Sequence, residues 1–282
     1  MRVWAEPSLP FSPLPDHQRA RGELLLALRR RGPLTVLEDL RQSGCLRARF
    51  PRSPNPEHPE AVLLNVGGGI APGDRLDTTI RLAPHASATL AGQAAERIYR
   101  AAPASPPALV RTTLEAADHA TLEWLPPDTI LYDRSALDRR LDITLAPTAR
   151  FLGIESLVFG RAASGEILRH VALRDTIRLR RDGRLLLHDA LRVDGDAATL
   201  RHRATAAGTG ACATLLLAGL DADTMLAPLR AALVPFEAGA SLTDGLLLAR
   251  ILAPDAATLR QATTAALRVL RGGRTLPAVW TC

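Results

Sequence analysis

A segment in the middle of the chain comes back at a nearly constant interval, and that interval limits the architectures open to it. Ile80-Arg81-Leu82-Ala83-Pro84-His85-Ala86 returns as Ile143-Thr144-Leu145-Ala146-Pro147-Thr148-Ala149, with a looser copy between them at Thr113-Leu114-Glu115-Ala116-Ala117-Asp118-His119-Ala120. A fourth unit runs from Ile177 through Asp182-Gly183 to Leu185. The marker leucines Leu82, Leu114, Leu145 and Leu179 are 32, 31 and 34 residues apart. A strand, a tight turn and a return strand at that interval predict stacked β-layers, each covering its neighbour's apolar face. Alternation within a unit agrees: Leu141, Ile143 and Leu145 face one way, Asp142 and Thr144 the other. Strands do not alternate with long helical patterns, so a doubly wound α/β fold is not expected.

Outside the repeat the signals change. Pro7, Pro10, Pro13 and Pro15 break regular structure, a short helix is predicted over Gln18 to Arg30, and residues 1 to about 32 read as peripheral. The proline cluster Pro51 to Pro59 reads as a surface loop. Asp221 to Leu233 and Pro254 to Arg271 have helical spacing. In the second, Leu259, Ala262, Ala266, Val269 and Leu270 form an apolar stripe with Leu267 at its edge, and Gly272-Gly273 ends it. Arg268 and Arg271 fall in the last turn, favourable for the helix dipole. The expected fold is mainly β, a β-helix-like, multi-layer body of strand-turn-strand units over about 33–215. Two C-terminal helices follow in a helical portion at about 220–282, the whole 1–282 forming one domain.

Charge narrows the function. The net charge is +6 over 282 residues, yet every basic residue is arginine. The arginines are interleaved with acids, as in Asp138-Arg139-Arg140-Leu141-Asp142, so nucleic acid is not an expected partner. Without lysine there is neither a Schiff-base lysine nor a P-loop lysine. Cys45, Cys212 and Cys282 follow no disulfide or zinc pattern. No apolar run reaches the roughly 18 residues of a membrane span, so the expected location is the cytoplasm.

Three short blocks go beyond what packing asks. Asn65-Val66-Gly67-Gly68-Gly69-Ile70-Ala71-Pro72-Gly73-Asp74 puts four glycines in seven residues, a loop that lets another backbone approach closely. Its Asp74 reads as a turn aspartate bonding its own backbone or pairing with Arg75. In Gly92 to Arg100, Glu96 pairs with Arg97 or Arg100 on the simplest reading, and Tyr99 packs its ring. In Leu122-Glu123-Trp124-Leu125-Pro126, Glu123 either points outward or lines an internal polar passage, where a buried acid needs a partner. A fourth block, Gly160-Arg161-Ala162-Ala163-Ser164-Gly165-Glu166, suggests a tight hairpin with Glu166 reaching Arg161. The seven histidines show no zinc-site spacing, but His85 and His119 occupy equivalent places in successive units and are expected to stack.

Taken in order, these blocks resemble the urease accessory protein D family (UreD, called UreH in some organisms). The resemblance rests on Gly68, Gly69, Gly73 and Asp74; on Gln93, Tyr99 and Arg100; on Glu123, Trp124 and Pro126; and on Gly160, Arg161, Gly165 and Glu166. It implies a mostly β, non-enzymatic scaffold that assists nickel insertion into urease. It further implies a complex with accessory protein UreF and the GTPase UreG, docking on apo-urease, and an internal water-filled passage for nickel. Ni²⁺ would then be transient, with no tightly bound cofactor, because tight sites along a conduit trap the ion. Asp74, Glu123 and Glu166 are the expected passage acids, with His85 and His119 as further nickel contacts. Leu259, Leu267 and Trp280 are the expected partner interface. Two other readings compete. One is a β-helical carbohydrate-active enzyme using an acid pair from Asp74, Glu123 and Glu166, disfavoured by only three Trp and two Tyr. The other is a plain protein-interaction module.

Overall fold

The computed structural model describes residues 19–52, 55–161, 164–202 and 205–280. In chain order the strands are β1 (Arg21–Arg31), β2 (Leu34–Gly44), β3 (Leu46–Arg49), β4 (Glu60–Asn65), β5 (Arg75–Leu82), β6 (Ser87–Gly92), β7 (Glu96–Ile98) and β8 (Ala108–Ala116). They continue as β9 (Thr121–Leu125), β10 (Thr129–Leu131), β11 (Ser135–Leu145), β12 (Arg150–Phe159), β13 (His170–Arg181), β14 (Arg184–Asp196) and β15 (Ala211–Ala218). Helix α1 (Ala222–Leu233), the hairpin β16 (Glu237–Thr243) and β17 (Leu246–Ala253), and helix α2 (Ala256–Leu270) complete the chain.

These strands make two mixed sheets. The first runs β14-β13-β11-β8-β5-β1-β2, the second β16-β17-β15-β12-β9-β6-β4-β3, with β7 and β10 extending the second beside β12. From β5 to β13 the chain passes between the two sheets, and each strand pairs in parallel with its counterpart one repeat away. The interval in the sequence is this alternation. Ile80, Leu114, Ile143 and Leu179 share one level of the first sheet, while Leu82 and Leu145 lie one level on, opposite Ala116. The fourth unit is the β13–β14 hairpin, where Asp182 (φ 50°) and Gly183 (φ 73°) form a left-handed two-residue turn suited to strand twist.

The segment expected to be a peripheral helix, Gln18 to Arg30, is a central strand over its described part. Leu24, Leu26 and Leu28 are almost wholly buried and alternate with more exposed neighbours, a period of two that outweighs the helical propensity of Leu and Arg. β1 lies parallel to β5, so the β body begins at Arg21 rather than near residue 33. It also runs past residue 215, because β16 and β17 lie between the helices and extend the second sheet. Both helices fall where expected. Asp255 caps α2 by accepting the Thr258 N–H at 2.7 Å, and Gly272 and Gly273 end it with positive φ. Its buried stripe is centred on Leu259, Ala262, Ala266, Leu267 and Leu270; Val269, rather than Leu267, takes the edge.

Two apolar clusters fill the space between the sheets, and a third joins the outer face of the second sheet to α1 and α2. Leu259, Leu267 and Trp280, expected at a partner interface, belong to this third cluster at 0, 0 and 4 % exposure. They face inward because they attach the helices to the sheet. Baring each would cost about 1.5–3 kcal/mol, so as they stand they form no docking surface.

Candidate functional site

Parts of three blocks converge on one cavity between the sheets, about 330 Å³ in volume. The first sheet lines it with Leu76, Thr112, Leu137 and Arg139, and the second with Leu90, Trp124 and Glu155. Asn65, Gly68, Gly69, the run from Gln93 to Ile98, and Pro126 contribute from the loops and short strands. Gly69 sits at φ 147°, and a Cβ there would come within 2.6 Å of the Tyr99 ring. What approaches the glycine loop is therefore an aromatic side chain, not the backbone expected. Tyr99 donates its hydroxyl to the Gly68 carbonyl at 2.6 Å and meets Tyr132 edge-on at 5.4 Å. Gly73 takes a further left-handed turn position.

Glu96 is not the surface ion-pair residue expected. The Asn65 amide donates to its Oε1 at 3.2 Å and to the Gly69 carbonyl at 3.1 Å, tying the glycine loop to β7. Burial pushes the Glu96 carboxyl up from its ordinary value, against the Asn65 hydrogen bond. Gln93 is exposed at the rim, its backbone N–H donating to Leu63 O at 3.0 Å. Arg100 is exposed and makes a backbone bridge to Ser135.

Elsewhere the cavity wall is ionic. Arg139 donates to Asp175 through Nε at 2.9 Å and NH2 at 2.6 Å. Its NH1 lies 2.6 Å from Glu155 Oε2 and donates to Thr129 Oγ1 at 3.0 Å. The Trp124 indole N–H donates to Glu155 Oε1 at 2.8 Å. All three charged side chains are about 10 % exposed. Burial pushes the Glu155 carboxyl up, Arg139 opposes, and Asp175 adds to the rise. Burial alone would make Arg139 easier to deprotonate, but the two carboxylates hold it firmly protonated. Nearby, burial first and then Asp175 raise the Cys212 thiol to about 11, so it is an inert thiol.

Glu123 lies on the other face of the second sheet and is fully buried. It accepts from Thr89 Oγ1 at 2.7 Å, from Arg271 Nε at 3.0 Å and from Arg274 NH2, and His58 Nε2 is 3.7 Å away. Burial raises its carboxyl, but His58, Arg271 and Arg274 together hold it well below the usual range. The partner that a buried acid demanded is thus a pair of arginines at the end of α2. Asp74 is 3 % exposed, and both oxygens accept backbone N–H groups, from Ala20 at 2.8 Å and Ala71 at 2.7 Å. It is a turn aspartate, bonded to backbone rather than to Arg75.

Glu166 reaches Arg161 as expected, at 2.9 and 3.2 Å, and Arg161 lies over the Tyr132 ring at 4.2 Å. That hydrogen bond from Arg161, with its charge, lowers the Glu166 carboxyl despite burial. The loop containing Gly160 and Gly165 is not a hairpin between paired strands. It carries the chain from β12 in the second sheet to β13 in the first; within the block, Ala162 and Ala163 lie outside the described residues. His85 and His119 stack, with ring centroids 4.8 Å apart and 14° between planes, at two exposed left-handed turn positions.

None of Asp74, Glu123, Glu166, His85 and His119 lines the cavity. The acids that do are Glu96 and Glu155. Among the described residues, no group of three or more His, Cys, Asp and Glu side chains is placed to hold a metal ion, and no helix is long and apolar enough to cross a membrane. The signal for Arg139 and Asp175 was present in the sequence. Each shares strand parity with buried apolar residues, Leu137 and Leu141 for the first, Leu173 and Ile177 for the second, and a charge at an inward position needs a partner.

The fold and its stored charges define a β scaffold with a small internal cavity. The sequence model of the UreD urease accessory protein family matches residues 20–281. The chain is 44 % identical over 266 residues to the urease accessory protein UreD of Xanthobacter autotrophicus, covering 93 % of this chain and 90 % of that one. It is 40 % identical over 264 residues to the UreD protein of Rhizobium rhizogenes (93 % and 96 %) and 43 % over 284 residues to that of a Methylobacterium (97 % and 99 %). The chain belongs to the UreD family of urease accessory proteins. It is an accessory protein of urease maturation rather than an enzyme, which sets aside the carbohydrate-active alternative.

Proposed function

We propose that this chain acts in the cytoplasm as a single-domain metallochaperone scaffold, in a complex with UreF and the GTPase UreG, and that nickel reaches apo-urease by way of the cavity between its sheets. Nickel is cargo in this reading, with no tightly bound cofactor. The observation that carries it is the cavity itself: two of the family-like loops border it, and it holds a carboxylate from each of two separate networks, Glu96 with Asn65 and Glu155 with Arg139. Oxygen ligands of that kind bind a divalent ion briefly when their charge is already shared. The passage acids are then Glu96 and Glu155, in place of Asp74, Glu123 and Glu166. The stacked His85 and His119 are offered as an outer imidazole contact, and the parallel strand-turn-strand units as a short β-helix-like coil around the cavity.

The test is urease activity at fixed nickel in cells carrying the cognate urease genes with and without this one. Loss of activity with normal levels of nickel-free urease supports the role, and Glu96→Gln and Glu155→Gln should each lower activation by about tenfold. Full activity without the chain would overturn it. Full activity in both variants would remove the cavity from the path.

A further inference from the structure

Arg139 is bound unequally on its two sides. Its Nε and NH2 grip Asp175 at 2.9 and 2.6 Å in a two-point fork, the geometry that fixes a guanidinium most firmly. Its NH1 is shared between Glu155 Oε2 at 2.6 Å and Thr129 Oγ1 at 3.0 Å. Glu155 lines the cavity and Asp175 does not. Trp124 holds the other Glu155 oxygen in place. The guanidinium is rigid, so it is the Glu155 carboxylate that can turn Oε2 away from NH1 towards the cavity, pivoting on the oxygen that Trp124 holds, while the fork on Asp175 stays closed.

The charge is also uneven. Two carboxyl groups share one guanidinium in a nearly dry space, so the cluster has one acid more than it has bases. A divalent cation is attracted there, yet the carboxylate it meets already has a cation on it. Without that competitor, a buried carboxylate pair would bind a divalent ion tightly or take up a proton instead. The geometry points to Arg139 as a built-in competitor: a divalent cation binds Glu155 by drawing its Oε2 off Arg139 NH1, and the return of that oxygen to the fixed guanidinium releases the ion. This inference rests on the passage reading for the identity of the ion, Ni²⁺, but concerns the chain's own metal affinity.

The experiment is equilibrium dialysis of the purified full-length chain against NiCl₂ near neutral pH, with wild type, Arg139→Met, Glu155→Gln and the double variant. Arg139→Met should bind Ni²⁺ about tenfold more tightly than wild type, and adding Glu155→Gln should abolish the gain. Equal affinity in Arg139→Met and wild type, or a gain that survives in the double variant, overturns the proposal. Should Arg139→Met fail to fold, Arg139→Gln, which keeps a donor for Asp175, takes its place: tighter Ni²⁺ binding than wild type with a larger Ni²⁺-induced rise in Tm upholds the proposal, and unchanged binding sinks it. The two readings fail separately. Tight Ni²⁺ binding by Arg139→Met with normal urease activation keeps the competitor and counts against the passage. Lost activation with unchanged Ni²⁺ affinity overturns the competitor and leaves the passage standing.

Discussion

Two buried ion clusters lie on opposite faces of the second sheet and are built on opposite charge ratios. On the helix side one carboxylate, Glu123, takes two guanidinium groups, Arg271 and Arg274, with His58 and Thr89 at its edge. Between the sheets one guanidinium, Arg139, takes two carboxylates. Both bear the cost of removing ions from water, but they use it differently. The first is fully enclosed around Glu123 and joins residues 148 positions apart, so it fixes the end of α2 on the sheet. The second faces a cavity with one carboxylate more than it has cations. A fully buried carboxylate with surplus cations on it locks the fold; an under-compensated cluster whose acid lines a cavity retains affinity for something else.

Removing Glu123 is the strongest way to break this contrast. Glu123→Ala leaves Arg271, 5 % exposed, buried without its carboxylate, and should cost about 3–5 kcal/mol in denaturant unfolding. Limited proteolysis should then open the segment after α2 first. A loss below about 1 kcal/mol would mean that the cluster is no lock. Arg139→Met should cost less, about 1–3 kcal/mol, because the stranded Glu155 can take a proton, whereas Arg271 remains charged. Equal costs for the two variants would erase the distinction.

How far the sequence announced these clusters differs in an instructive way. The β architecture was legible because the repeat interval equals one passage through both sheets. The helices were legible from their apolar spacing, and Gly272-Gly273 marked the end of α2 locally. Glu123 was legible as an acid in need of a partner, but not its partners, since Arg271 and Arg274 are brought to it only when α2 docks. β1 was misread because its Leu and Arg content suits a helix, while its identity as a strand comes from pairing with β5 and β2. Arg139 sat inside a run that looked like an exposed, charge-interleaved stretch. Only its parity with Leu137 and Leu141 distinguished it from Asp138 and Arg140. Glu155 was hidden further, because β12 is apolar on both faces and its alternation carries little information.

The clusters should also answer pH in opposite directions. Glu123 is depressed below its ordinary 4.5 in the folded chain, so its contribution is complete above that value and is lost as pH falls through the folded pKa. Glu155 is raised above 4.5, so the folded chain binds the extra proton, and stability declines as pH rises from 4.5 through the folded pKa. Denaturant midpoints taken downward from neutral pH should therefore gain from Glu155 before they lose from Glu123. Glu155→Gln should remove the gain, and Glu123→Gln should shrink the acid loss. A gain that persists in Glu155→Gln would assign it to another group.

The smallest expected effect compares one hydrogen bond in each cluster. Thr89→Val removes a hydroxyl that donates to Glu123 at 2.7 Å, and Trp124→Phe removes an indole donor to Glu155 at 2.8 Å. Each deletes a bond to a charged acceptor, worth about 1.5–3 kcal/mol when nothing replaces it. Glu123 still has Arg271 and Arg274 on its oxygens, so Thr89→Val should fall at or below the low end of that range. Glu155 keeps only the shared Arg139 NH1, and its side chain lines the cavity. Trp124→Phe should accordingly cost more, loosen Glu155, and raise its folded pKa further, shifting the pH dependence of stability upward. Equal effects from the two substitutions would show that the spare arginine on Glu123 adds no protection, and that the two clusters differ in charge count but not in how tightly they hold their carboxylates.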